Sequence, residues 1–108
     1  MTTQVAWLLL LAAGALEIVW VVGLKLTDGF TRPWPSVVTI VAMVVSIAIL
    51  AQIVRVLPVG TAYAVWTGIG AAGTALIGMA IFGEPRDVLR LVCITMIVVG
   101  TLGLKFSA

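Results

Sequence analysis

Only one acid in this sequence falls inside an apolar span: Glu17, in the stretch from Gly14 to Lys25 that reads Gly-Ala-Leu-Glu-Ile-Val-Trp-Val-Val-Gly-Leu-Lys. A carboxylate at membrane depth costs roughly 2.5 kcal/mol or more, so such a residue normally faces a bundle interior or a wet cavity and serves a pathway. Burial penalises the charged form of a carboxyl. A group placed there is suited to holding a proton or a cation by turns, and that exchange is the chemistry expected of the chain.

On a helix of 3.6 residues per turn, Leu10, Ala13, Gly14, Trp20, Val21 and Leu24 share the face of Glu17. Gly14 leaves space beside the acid, and Trp20 adds a flat wall whose ring supports a cation and whose N–H steers a carboxylate. Tyr63 and Trp66, three residues apart, offer a phenol donor and a further aromatic wall. Ser46 can join a hydrogen-bond network with Glu17 or bond back to its own helix. Gly68 and Gly70 weaken a helix locally and allow a bend of the kind alternating-access proteins use. The plainer alternatives are a structural ion pair of Glu17 with Lys25 or an arginine, interfacial anchoring of the aromatics, and simple packing at the glycines.

These residues need a scaffold, and composition says which kind. The 108 residues are 63% hydrophobic and 9% charged, far from the roughly 25% charged residues of soluble domains. The chain reads as an all-α integral membrane protein. Its six Lys/Arg and four Asp/Glu are scattered singly, so no basic run points to nucleic acid. With no His and one Cys, no metal constellation or internal disulfide is expected, and Cys93 reads as a small packing residue. No nucleophile with a base and no phosphate-cradling loop supports an enzyme. The first segment has a signal-like Ala13-Gly14-Ala15 but no basic residue before it, and hydrophobicity resumes after Glu17, so it reads as a retained transmembrane helix.

At about 20 residues per crossing, four helices are expected at about 4–24, 36–54, 58–82 and 88–104, in a single transmembrane domain spanning 1–108. The short connections give an up-and-down bundle with both termini on one side. One such bundle has little room for a solute cavity and its walls, so oligomerisation is expected. Small residues drive helix association in lipid. Gly60, Ala64, Gly68 and Ala72 supply an i, i+4 strip on the third helix, and Gly100 and Gly103 lighten the fourth. Lys25, Arg32, Arg86 and Arg90 fall on one side and Arg55 and Lys105 on the other, a slight bias compatible with insertion both ways up.

The chain resembles the small multidrug resistance transporters along nearly all of its length. The matching pieces are Glu17, Leu24-Lys25, Gly29-Phe30-Thr31-Arg32, Pro35-Ser36 and the run Pro58 to Gly70, in the family's order and spacing. Trp20 one turn after Glu17, Glu84-Pro85 followed by Arg90, and the ending Gly100 to Lys105 are similar to the guanidinium exporter subtype. The resemblance implies an antiparallel, dual-topology homodimer in a prokaryotic inner membrane. Both Glu17 side chains would share one site and exchange protons for a guanidinium-type cation by alternating access, with no cofactor beyond the coupling protons. It carries over to Glu17 as the proton and substrate carboxylate, to Trp20, Ser46 and Tyr63 as its hydrogen-bonding neighbours, to Trp66 as a cavity wall and to Gly14 as the small position beside the acid. Pro33 departs from the usual aliphatic residue, and Ile47 and Ala48 stand where larger aromatic side chains are frequent.

Guanidinium also suits the site chemically, because its planar fork of N–H donors matches a carboxylate in paired bonds. The alternatives are a broad multidrug exporter of quaternary or aromatic cations, one subunit of a heterodimeric pair, a passive cation channel with Glu17 as a selectivity ring, and a non-transporting membrane assembly factor.

Overall fold

The computed structural model describes residues 1–107. They form four helices: α1 (Thr3–Leu26), α2 (Pro33–Ile53), α3 (Val59–Ile81) and α4 (Val88–Ser107). Each is long and apolar enough to cross a membrane.

Local chemistry sets the ends. The Thr2 side chain accepts the Val5 N–H at 3.2 Å to start α1. At its other end Thr27, fully buried, takes the cap position, and its hydroxyl donates to the Leu24 carbonyl and accepts from the Phe30 N–H. Asp28, Gly29 and Phe30 then run through the left-handed region at φ 49°, 68° and 65°, a reversal tight enough for the chain to re-enter a helix at Pro33. α2 thus begins three residues ahead of Ser36, since Pro33 and Pro35 both lie in a first turn, where no intrahelical N–H is needed. Arg32 before it is extended, at φ −96° and ψ 119°, as a residue preceding proline must be. α3 ends at Ile81 with Phe82 as its cap, after which Gly83 turns left-handed and the Glu84 N–H returns to the Gly78 carbonyl at 3.2 Å.

The four-helix, all-α architecture holds, but within one chain the helices pack as an open row. α1 lies against α2 and α3, α4 packs on α3, and α2 and α3 barely touch. The extents of 39 × 36 × 17 Å match such a layer, since four helices at 8–10 Å spacing cover about 30 Å side by side. Two apolar clusters hold it together. The larger gathers Ala6, Leu10 and Ala13 of α1, Ile53 and Leu57 around the end of α2, and Ala62, Val65 and Trp66 of α3. The smaller joins Ala72 and Met79 of α3 to Ile94 of α4.

The small residues of α3 serve this row. Gly68 receives the side chain of Thr101 from α4, and Ala72 lies in the α3–α4 cluster, so the expected oligomerisation strip is used in part within the chain, whereas Gly60 faces open space. Gly100 and Gly103 are likewise open, on an α4 with one buried residue, Ile94. Cys93, expected to be a packing residue, is exposed on α4.

Candidate functional site

α1 buries Ala6, Leu10, Ala13, Gly14 and Glu17 on one stripe. The face read from helical spacing therefore holds as far as the acid, beyond which Trp20 and Val21 are half-buried and Leu24 is exposed. Glu17 keeps only 6% of its surface. Its Oε2 is buried with no hydrogen-bond partner, and among the described residues it makes no ion pair. Lys25, the nearest basic residue in sequence, sits over the Phe82 ring, 5.3 Å from its centroid. The structural pairing considered for Glu17 is thus absent.

The space for this carboxylate comes from α3. A Cβ on Gly70 would collide with the Glu17 carboxylate and lie 2.8 Å from its Cγ. At Gly14 a Cβ would meet the Ile69 side chain at 2.7 to 3.1 Å. Gly14 and Gly70 therefore let α1 and α3 approach closely at the level of the acid. α3 runs unbroken through Gly68 and Gly70; the bend expected there gives way to two seats, one filled by Thr101 and the other by Glu17.

Ser46 is fully buried and reaches a different partner from the one expected. Its hydroxyl donates to the Ala13 carbonyl at 2.7 Å and accepts from Trp66 Nε1 at 3.1 Å. A regular helix already directs the Glu17 N–H to the Ala13 carbonyl. Ser46 thus acts on the peptide supporting Glu17 rather than on its carboxylate, and it ties α3 through α2 to α1. Neither bond is the return to its own helix that a buried serine often makes.

The aromatic residues split into two settings. Trp66 is buried in the main cluster and pinned by Ser46. Tyr63 is 57% exposed, with its ring 5.8 Å from that of Trp66 at 42°, and makes no hydrogen bond to Glu17 in this chain. Trp20 packs against the main cluster, and its Nε1 is buried without a partner. Glu17 opens instead into a cleft of about 330 Å³ lined by Val21 of α1, Thr67, Gly70, Ala71, Thr74 and Ala75 of α3, and Glu84. Thr67, Thr74 and Glu84 were not singled out as site residues from the sequence. The available signal was the spacing of Gly70, Thr74 and Gly78, which places one glycine, one hydroxyl and a second glycine along a single i, i+4 row.

Two polar groups without partners, the Glu17 carboxylate and the Trp20 indole N–H, thus lie one helical turn apart, the carboxylate opening into the cleft and the indole packed against the main cluster. Such a pair suits a small organic cation with several N–H donors at the carboxylate.

Comparison with known proteins finds relatives along nearly the whole chain. A family described as Small Multidrug Resistance protein matches residues 5–97. The chain is 54% identical over 103 residues to a protein named guanidinium exporter from Proteus vulgaris, covering 95% of this chain and 99% of that one. It is 57% identical over 102 residues to the guanidinium exporter of Citrobacter freundii, with 94% and 97% covered. The guanidinium exporter of Escherichia coli K12 is 55% identical over 102 residues, again with 94% and 97% covered.

Proposed function

Because the chain belongs to the small multidrug resistance protein family and is a multi-pass protein of the bacterial inner membrane, we propose that it exports guanidinium and small substituted guanidinium cations in exchange for protons. Glu17 is the shared binding group for both. The observation that carries the reading is a carboxylate with 6% of its surface exposed and an oxygen lacking any partner, opening into a cleft. More than half identity to proteins named guanidinium exporters, over nearly the whole chain, supports the choice of cation.

The working unit is an antiparallel pair of copies. A single chain is a 17 Å layer with Tyr63 and most of α4 uncovered, so a second layer is needed to enclose a site. Gly100 and Gly103, open on α4, are suited to the close helix approach that association in lipid requires. Facing Glu17 carboxylates would grip one guanidinium through paired N–H···O bonds. Trp20 supplies the indole donor, Tyr63 the phenol, Trp66 the wall and Gly14 the clearance, while Ser46 holds Trp66 and the Glu17 backbone in register.

Coupling follows from competition. Two empty, ionised carboxylates are too costly to carry across the bilayer, so the site reorients with either protons or a cation aboard. Inward proton movement then drives the cation outward. Guanidinium requires the carboxylates free of their protons, so its apparent affinity falls as pH falls and levels off once both are ionised.

The test is uptake by purified protein in liposomes under an imposed pH gradient, with guanidinium and a quaternary ammonium dye compared. Guanidinium movement accompanied by proton movement supports the reading. Preference for the dye would favour a broad multidrug exporter, and cation flux without protons would favour a channel.

A further inference from the structure

The cleft that begins at Glu17 ends at a second carboxylate, and that one is already occupied by a guanidinium. Glu84 lines the same space of about 330 Å³ and is paired through Oε1 with the Arg90 side chain. Its position is built by the backbone. Gly83 turns the chain, the Glu84 N–H bonds the Gly78 carbonyl, and the carboxylate lies over Gly78, where a Cβ would be 2.6 Å from its atoms. Gly70 and Gly78 thus each seat a carboxylate on α3, eight residues apart, about 12 Å along the helix. Between them Thr74 Oγ1 is buried with no partner, as is Glu17 Oε2 at the inner end.

The pair at the outer end is a weak one. Arg90 engages Glu84 through one nitrogen while its Nε is buried without a partner, and the two side chains retain 30% and 42% of their exposure. A single-point ion pair with that exposure contributes little. A free guanidinium presents two parallel N–H groups to a carboxylate, so it can displace a tethered side chain of the same chemistry that uses only one. The cleft has room for a small cation with several waters at about 30 Å³ each.

We propose that Glu84 is an outer staging site for the guanidinium cation on its way to or from Glu17. Arg90 is a tethered substitute that fills the site when no solute is there, and Thr74 is a polar step between the two carboxylates. This rests on guanidinium being the transported cation.

The experiment is the initial rate of guanidinium transport against guanidinium concentration in liposomes, for the wild type, Glu84→Gln and Arg90→Gln. Glu84→Gln removes the staging charge and is expected to raise the half-saturating concentration about three- to tenfold. Arg90→Gln removes the competitor and is expected to lower it about two- to fivefold. Opposite shifts support the proposal. Shifts in the same direction, or none beyond twofold in either variant, overturn it and make the ion pair a structural clip, while wild-type transport leaves the proposed function intact. A wild type that does not move guanidinium sinks both. Should Glu84→Gln fail to fold, Glu84→Asp, which keeps the charge but shortens its reach, replaces it and is expected to shift the same way by less; no rise there also overturns the proposal.

Discussion

Ser46→Ala tests the structure independently of transport. The hydroxyl makes two bonds, to the Ala13 carbonyl at 2.7 Å and from Trp66 Nε1 at 3.1 Å, but losing it does not cost the same at both ends. The Ala13 carbonyl keeps its helical partner, the Glu17 N–H. Trp66 Nε1 keeps none, because the residue is 9% exposed in an apolar cluster. The penalty is therefore that of one buried donor left alone, about 1–3 kcal/mol. Trp66→Phe removes the donor that would be orphaned, so in that background Ser46→Ala should cost much less than it does alone, whatever the smaller ring itself costs. The coupling energy should lie between about 0.6 kcal/mol, the average for hydrogen bonds between membrane helices, and about 1.7, the largest measured in one such protein. Reversible unfolding of the two single variants and the double variant in mixed micelles gives the cycle. Strictly additive losses would refute the bond and the three-helix tie built on it.

The two glycines beside the acid should fail differently. Gly14→Ala drives a methyl against the Ile69 side chain, whose branched Cβ is held to one strongly preferred rotamer on a helix, so a stability loss of about 1–3 kcal/mol is expected in the same unfolding assay. Gly70→Ala meets the far end of the flexible Glu17 side chain, so unfolding should move less while guanidinium affinity falls about tenfold or more, an effect of about 1.4 kcal/mol, read by transport kinetics. Glu17→Asp should retain some transport with a shifted pH profile, because the carboxylate is withdrawn from its Gly70 seat; a profile identical to the wild type counts against direct competition between proton and cation.

Sequence alone revealed the helices and the acid much more readily than the contacts between them. Long apolar runs separated by Pro, Gly and charge define the number of helices, and a lone acid in such a run stands out. Which face of each helix meets another is a different matter, because lipid is as apolar as a neighbouring helix and the usual polar–apolar stripe is missing. The row order, with α1 and α3 at its centre, and the exposure of Cys93 were therefore not readable. Gly68 and Gly70 have the composition of a hinge, yet they are close-approach seats, and only the neighbouring Thr101 and Glu17 side chains make that visible. Ser46 was recognised as a network residue but assigned to the wrong partner, since its bond to Trp66 links residues twenty apart on different helices. Glu84 stands out in the sequence only within the Glu84-Pro85 stretch, because its place in the cleft depends on Gly83 folding it back over Gly78.

Every step proposed for transport passes through the Glu17 carboxylate. The most direct test is simultaneous measurement of guanidinium and proton movement in liposomes holding wild-type protein or Glu17→Gln, which keeps the shape of the side chain and removes its charge and titratable proton. The wild type should move protons against guanidinium, and Glu17→Gln should abolish both movements while remaining folded. Coupled transport persisting in Glu17→Gln would contradict the account.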